Sequence, residues 1–289
     1  GGTWLKLAVL DADRIVHSDK MPLPPSGTAS FVQDLAAKAV EQHAADTLGV
    51  GLAGLVRFPE GELVWGPHLD HQAVPYRQVL EQRLGIPVVV DNDANLAVYA
   101  EWRMGAAQDH DPVLMVAVGT GIGVGVVAGG RIFRGGSFAG ESGHMTVDPN
   151  GGPCACGRRG CWETVVSGTR LDRLAAERHD SATGADLVAW AADGDEWAGA
   201  VLAEVGEWLG RGIVTLVLAF DPQLVVVGGA VSAAGELLLE PAARRLAMDL
   251  PGAGYRDGIP VVPARFDAHA GAVGAALAAR SVQNGSNDW

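Results

Sequence analysis

The sequence predicts an α/β protein built in two halves, and three observations lead there. Strand-rich blocks interleave with helical stretches along the whole chain. Glycine is abundant, at 40 of 289 residues, and falls in turns between apolar runs. Apolar residues make up 48% of the chain, as in an ordinary globular protein with real cores.

The elements follow in order. Leu5–Leu10 and Arg14–His17 flank Asp11-Ala12-Asp13 and predict a β-hairpin with an aspartate-containing turn. Pro22 to Gly27 is a loop, and Thr28–Ala45 places Phe31, Leu35 and Ala39 at helical spacing. Val50–Val56 predicts a glycine-rich buried strand, with Leu63–Trp65 pairing nearby. Val74–Leu84 predicts a helix, Pro87–Val90 a strand, and Asp91–Gly105 a helix whose acidic first turn suits the helix dipole. Val113–Val118, Gly121–Ala128 and Arg131–Phe133 predict a second sheet, with Gly129-Gly130 as a hairpin turn. Helices are then expected near Arg170–Arg178, Ala185–Ala192, Glu196–Ala219, Ala233–Leu246 and His269–Arg280, with strands at Leu224–Val227 and Val261–Val262.

Charge and composition narrow the function classes. Lys plus Arg number 21 against 34 Asp plus Glu, a formal charge of −13. Such a surface repels nucleic acid, so no nucleic-acid partner is expected for this chain. No apolar run approaches the length of a membrane span and no signal-type segment opens the chain. With few cysteines, a reducing cytoplasm is the expected compartment, and no membrane partner is expected. The chain opens on Gly1-Gly2-Thr3 without an initiating Met and runs straight into Trp4–Leu10. It therefore reads as cut inside its first strand–turn unit, with residues missing upstream.

The densest chemistry lies in Glu141–Glu163, ESGHMTVDPNGGPCACGRRGCWE. His144, Cys154, Cys156 and Cys161 supply a Cys₃His set, one of those that Zn²⁺ takes in a closed tetrahedral structural site. Three ordinary buried thiols are the alternative. A disulfide fits less well, because three is odd and a Cys154–Cys156 bridge would be strained. Glu141 and Glu163 close the two ends, either as solvated acids or as groups that read a ligand.

Three glycine-rich turns stand out: Gly1-Gly2-Thr3, Gly119-Thr120-Gly121-Ile122-Gly123-Val124-Gly125, and Gly228-Gly229-Ala230. Glycine lets backbone N–H groups approach phosphate oxygens, and threonine adds a hydroxyl donor. Each could equally be a plain turn, and none is a P-loop or a dinucleotide fingerprint. Asp93, within Asp91-Asn92-Asp93-Ala94-Asn95, has two readings. It caps a helix, or it is the carboxylate that takes a proton from an attacking hydroxyl in phosphoryl transfer.

Together these residues carry a family resemblance. E-x-G-H at 141–144, then G-x-x-C-x-C-G-x-x-G-C-x-E at 151–163, resembles the signature of the ROK family of sugar kinases, open reading frames and repressors. The resemblance implies a two-lobed actin-like ATPase (ribonuclease H-like) fold with a zinc-binding loop. One lobe is then 1–110 plus 271–289, the other 111–270. It implies nucleotide contacts from Gly2, Thr3, Lys6, Gly119, Thr120, Gly121, Gly123, Gly228 and Gly229. Asp93 becomes the general base, since its segment resembles the family's N-D-A-N motif. Asn92, Glu141, His144 and Glu163 hold a sugar bordered by Gly54 and His68. Zn²⁺ is structural, Mg²⁺ arrives with ATP, the acceptor is a hexose-like sugar, and a homo-oligomer (dimer or tetramer) is expected.

Departures from the family pattern are also legible. The first phosphate motif reads D-x-G-G-T in the family, and its aspartate would precede Gly1. Ala53 stands where proline is usual, and Gly66-Pro67-His68-Leu69 lies where many members have asparagine before the leucine. Phe220-Asp221-Pro222 replaces a common Asn-Pro, and Ala191–Asp195 fits a helix-ending A-A-x-G-D pattern. Around the cysteines the wording is especially like bacterial glucokinases. The expected activity is thus an ATP-dependent hexose kinase acting on the 6-hydroxyl of glucose or a close relative. The alternatives are a kinase for an amino sugar or cyclitol and a sugar-sensing repressor whose DNA-binding domain lies outside this chain.

Overall fold

The computed structural model describes residues 3–66, 73–252, 254–285 and 289. It divides into two compact units: Gly1–Asp109 with Gly125–Gly140 and Ala268–Trp289, and His110–Val124 with Glu141–Asp267. Strands and helices are labelled in chain order.

The first unit opens with an antiparallel hairpin of β1 (Trp4–Asp11) and β2 (Arg14–Pro22), longer than expected and carrying a bulge at Val9/Leu10. Helix α1 (Thr28–His43) follows. β3 (Leu48–Leu52) runs parallel to β7 (Val88–Asn92), while β4 (Leu55–Arg57), β5 (Glu62–Trp65) and β6 (Val74–Pro75) form an antiparallel three-stranded sheet. The single strand expected over Val50–Val56 is therefore two. Gly54 adopts φ +144°, and a Cβ there would overlap the Trp65 carbonyl, so the chain bends where only glycine fits. The helix expected from Val74 begins at Tyr76, as α2 (Tyr76–Leu84), because Val74 and Pro75 pair with β5. Leu52, Val56, Leu63, Tyr76, Leu80, Val88 and Val90 bury together as a core.

Helix α3 (Asp93–Met104) leaves the end of β7 and packs against α8 (Ala270–Gln283). The alanine- and glycine-rich composition of α8 is explained by contact distance. A Cβ at Gly274 would overlap the carbonyl of Leu96, and one at Gly49 the carbonyl of Ala275. In Gly125–Gly140, Gly129 and Gly130 at φ +65° and +75° make the expected tight turn. Arg131–Phe133, expected as a strand, makes only the bridge Val127↔Ile132. The chain is turned away by Gly135 and Ser137, both at positive φ.

The second unit is built on one sheet. Its strands are β8 (Val113–Val118), β9 (Ile122–Val127, running on into the first unit), β10 (Leu224–Gly228) and β11 (Val261–Pro263), in the order β11-β10-β8-β9. β10 lies parallel to both β11 and β8. β8 and β10 are buried nearly throughout, which is why they read as unbroken apolar runs. The helices are α4 (Gly168–Arg178), α5 (Gly184–Ala192), α6 (Glu196–Phe220) and α7 (Glu236–Asp249). α7 starts later than expected because Ala230–Ala234 forms a 3₁₀ turn ended by Gly235 at φ +57°. Gly194 at φ +91° makes the turn between α5 and α6, and Asp195 caps α6. Among the described residues no helix is long and apolar enough to cross a membrane.

The chain has the α/β actin-like ATPase fold, with a Cys/His cluster in the second unit that fits a zinc-binding site.

Candidate functional site

In the first unit the expected residues gather where β7 hands over to α3. The cap of α3 is Asn92: its Oδ1 accepts the N–H groups of Ala94 at 2.8 Å and Asn95 at 3.2 Å. Capping thus falls to Asn92, and Asp93 stands at the first helical position. Asn92 also donates from Nδ2 to the Gly54 carbonyl at 3.1 Å, which joins two residues expected at the sugar. The backbone of Gly51 on β3 and of Gly271 at the start of α8 both pack on Asp93. Lys6 on β1 completes the set. Burial pushes its ammonium below the ordinary lysine value, and the nearby charge of Asp93 opposes that fall. Thr3 is exposed at the start of the hairpin and accepts the Leu23 N–H at 3.0 Å. Gly2 and His68, also expected at the site, lie outside the described residues.

The second unit holds every site residue expected after residue 118. Glu141–His144 forms one 3₁₀ turn and Trp162–Thr164 another. Between them the loop folds back through the bridges Thr146↔Cys161 and Pro153↔Arg159. Glycine is needed at 160, where φ is +67° and a Cβ would overlap the Asp148 carbonyl. Trp162 anchors the loop. It is fully buried, its indole lies on Gly212 of α6, and its Nε1 donates to the Trp208 carbonyl at 2.9 Å.

The ligand atoms of His144, Cys154, Cys156 and Cys161 all lie within 4.8 Å of one another. Sγ of Cys156 and Cys161 are 3.7 Å apart, as are Cys154 Sγ and His144 Nδ1. A tetrahedron with Zn–S near 2.3 Å has edges of about 3.8 Å, so this donor set fits the ion in both chemistry and size. Four protein ligands close the coordination shell, as in structural zinc sites. Glu163 Oε1 sits 3.3 Å from His144 Nδ1 and accepts the Cys154 thiol at 3.0 Å. Burial, together with that hydrogen bond, pushes the Cys154 thiol well up from its ordinary value. Zinc ligation requires the thiolate, so metal binding releases that proton and the bond to Glu163 with it.

The glycine turn joins this wall. The Glu163 carboxylate lies over Gly121, where a side chain would have to push it aside, and Gly143 packs so closely on the Ile122 backbone that it has no room for one. Gly119 accepts the Gly168 N–H at 2.7 Å and Thr120 accepts the Thr169 hydroxyl at 2.7 Å, so the turn sits against the N-terminus of α4. Gly229, at φ +90°, packs on the backbone of Val118 and brings Gly228-Gly229 to the same place. Gly123 continues the turn into β9. Glycine turns set against a helix N-terminus are the kind of backbone that phosphate oxygens approach closely; here the Gly119 N–H is itself bonded to the Gly121 carbonyl at 2.9 Å. The expectations drawn from sequence omitted Ser167, Gly168 and Thr169. Their signal was a serine directly before an amphipathic run, and Ser167 does cap α4.

Comparison with known proteins follows the same lines. A family model described as the ROK family matches residues 1–282. A glucokinase of Streptomyces coelicolor is 33% identical, over 97% of this chain and 95% of that protein. A ROK family glucokinase from Streptomyces griseus, solved in complex with glucose and AMPPNP, is 36% identical and covers 97% of each chain with a TM-score of 0.90. The xylose repressor of Bacillus subtilis is 33% identical, over 62% of this chain and 47% of the repressor.

Proposed function

The chain belongs to the ROK family, and from that premise we propose that it is a glucokinase, an ATP-dependent hexose kinase that transfers the γ-phosphoryl group to the sugar 6-hydroxyl. One observation carries this reading. The carboxylate of Asp93 and the phosphate-type glycine turns are kept in the same chain as the sugar-type residues Glu141, His144 and Glu163. A sugar sensor needs only the last three.

The roles follow from the chemistry. Asp93 accepts the proton of the attacking hydroxyl as the phosphorus–oxygen bond forms, a contribution of about 10²–10⁴ in rate for a positioned base. Phosphoryl transfer is otherwise mostly positioning and charge neutralisation. Gly119–Gly123, Gly228-Gly229 and the α4 N-terminus hold phosphate oxygens in the second unit. In the first, Thr3, Lys6 and Gly2 serve the nucleotide. Mg²⁺ bound with ATP neutralises charge on its phosphates.

Glu141, Glu163 and the Nε2 side of His144 read sugar hydroxyls. His144 gives Nδ1 to zinc, so one imidazole ties the metal to the sugar wall. Asn92 has spent Oδ1 on the cap and one Nδ2–H on Gly54, which leaves one N–H for the sugar. Zinc is structural, through His144, Cys154, Cys156 and Cys161, and shapes this wall. Ala53 and His68 depart from the family pattern in sequence, which keeps as a second reading a kinase for an amino sugar or cyclitol.

The test is ATP consumption measured against a panel of hexoses, amino sugars and cyclitols. Greatest kcat/KM with glucose is the expected result. Greatest kcat/KM with a modified sugar moves the assignment to the second reading. No sugar-dependent turnover rejects the kinase and favours a sensor.

A further inference from the structure

Asp91 is completely buried, two residues before the proposed base. Its oxygens are committed to one place. Oδ1 accepts the Asn92 N–H at 2.7 Å and an Asn95 Nδ2–H at 3.1 Å. Oδ2 accepts the Arg134 Nε–H at 2.8 Å. The two groups held by Oδ1 come from residues on either side of Asp93, so the carboxylate brackets the base without touching it.

Arg134 is itself fixed from several directions. Its side chain is 10% exposed. Its guanidinium lies 3.9 Å from the centroid of the Phe58 ring and 4.6 Å from that of Trp289, and Nη1 donates to the Trp289 carbonyl at 2.9 Å. Ser137, three residues on, exchanges hydrogen bonds with the Phe58 backbone at 3.3 Å, which holds Phe58 against this segment. The two rings meet edge to face, 5.2 Å between centroids and 89° between planes, and a planar cation held in the corner they make has little freedom to swing with its partner.

We propose that Arg134 is a positioning residue for phosphoryl transfer, fixing the Asn92–Asp93 junction through Asp91. This rests on the reading of Asp93 as the base. Stability alone does not explain the pair. Well-packed apolar residues usually serve a core at least as well as a buried ion pair, whose desolvation consumes most of its attraction. What the pair adds is direction. It sets the orientation of a carboxylate whose two remaining bonds end on the residues flanking Asp93. A misplacement of about 1 Å in a reacting group costs on the order of 10²-fold in rate.

The experiment compares kcat, and KM for glucose and for ATP, in the full chain and in Arg134→Met, Arg134→Lys, Asp93→Asn and the Asp93→Asn/Arg134→Met double variant. Melting temperature is recorded for each. Arg134→Met is expected to lower kcat by about 10–100-fold and leave KM for ATP within about twofold, since the ATP cradle lies in residues that Arg134 does not touch. Arg134→Lys recovers part of kcat, because it keeps the charge and loses the stacked fork. Phe58→Leu, which removes one of the two rings against Arg134 and leaves the ion pair, is expected to give a smaller fall and serves if Arg134→Met does not fold.

The decisive comparison is in the Asp93→Asn background. There Arg134→Met is expected to cost nothing more. An equal loss with and without Asp93 overturns the positioning role and leaves the base assignment standing, as does wild-type kcat in Arg134→Met. Wild-type turnover in Asp93→Asn alone rejects the base assignment and this proposal with it.

Discussion

The carboxylate of Glu163 occupies the space that a side chain at residue 121 would need: a Cβ on Gly121 would overlap Oε2. The proposed sugar wall and the proposed phosphate turn thus share one contact, and glycine there lets the carboxylate keep its position. Gly121→Ala is expected to push the carboxylate off its position. Losing one charge-assisted hydrogen bond of about 1.5–3 kcal/mol raises KM for the sugar by about 10–100-fold. KM for ATP should rise less. Initial rates against each substrate check this, and an unchanged sugar KM excludes Glu163 from sugar binding.

The cysteine cluster implies about one zinc per chain, from the closed four-ligand set. Cys156→Ser removes a ligand and is expected to bring bound zinc close to none, with a lower melting temperature and a raised sugar KM. Elemental analysis of the purified protein beside the variant is the check. Full zinc in Cys156→Ser would show that the ion sits elsewhere.

Gly212 separates two effects of opposite sign. By helix propensity, glycine to alanine inside α6 should stabilise by about 1 kcal/mol. The indole of Trp162 fills the space of the new methyl group, however, and forcing a group into a packed core costs about 1–3 kcal/mol. The packing term is the larger, so Gly212→Ala should melt below wild type. A higher melting temperature would mean that Trp162 does not rest on α6.

One carboxylate gives a pH signature. The two hydrogen bonds from Arg178, at 2.7 and 2.8 Å, and the N–H of Ala198 hold Asp195 down to about 2. A carboxylate depressed in the folded state stabilises above its unfolded value, near 3.9, and that stabilisation disappears as pH falls toward about 2. Asp195→Asn keeps a capping acceptor and removes the charge. Its melting temperature should lie below wild type at neutral pH, with the gap closing between about pH 4 and pH 2. A gap independent of pH would place the effect in the cap alone.

Some of this was legible in the sequence because its cause is local. The metal donors lie between His144 and Cys161, and the chemistry of thiolate and imidazole names their partner before any fold is known. The helix at Asp93 was legible from its capping residues, although only the structure assigns the cap to Asn92 and leaves Asp93 for another role. The break at Gly54 was hidden inside an apolar run, because its cause is the Trp65 carbonyl on another strand. The Arg134–Asp91 pair was invisible for the same reason. Its partners are 43 residues apart, and Trp289 is 155 residues from Arg134. Neither residue belongs to a motif, so only packing brings them together.

Glucose-dependent ADP release by Asp93→Asn, set beside the wild-type chain under saturating substrates, tests the central claim most directly. A fall in kcat of about 10²–10⁴, with an unchanged melting temperature and retained zinc, is the outcome expected of a general base. Turnover at the wild-type rate would contradict it.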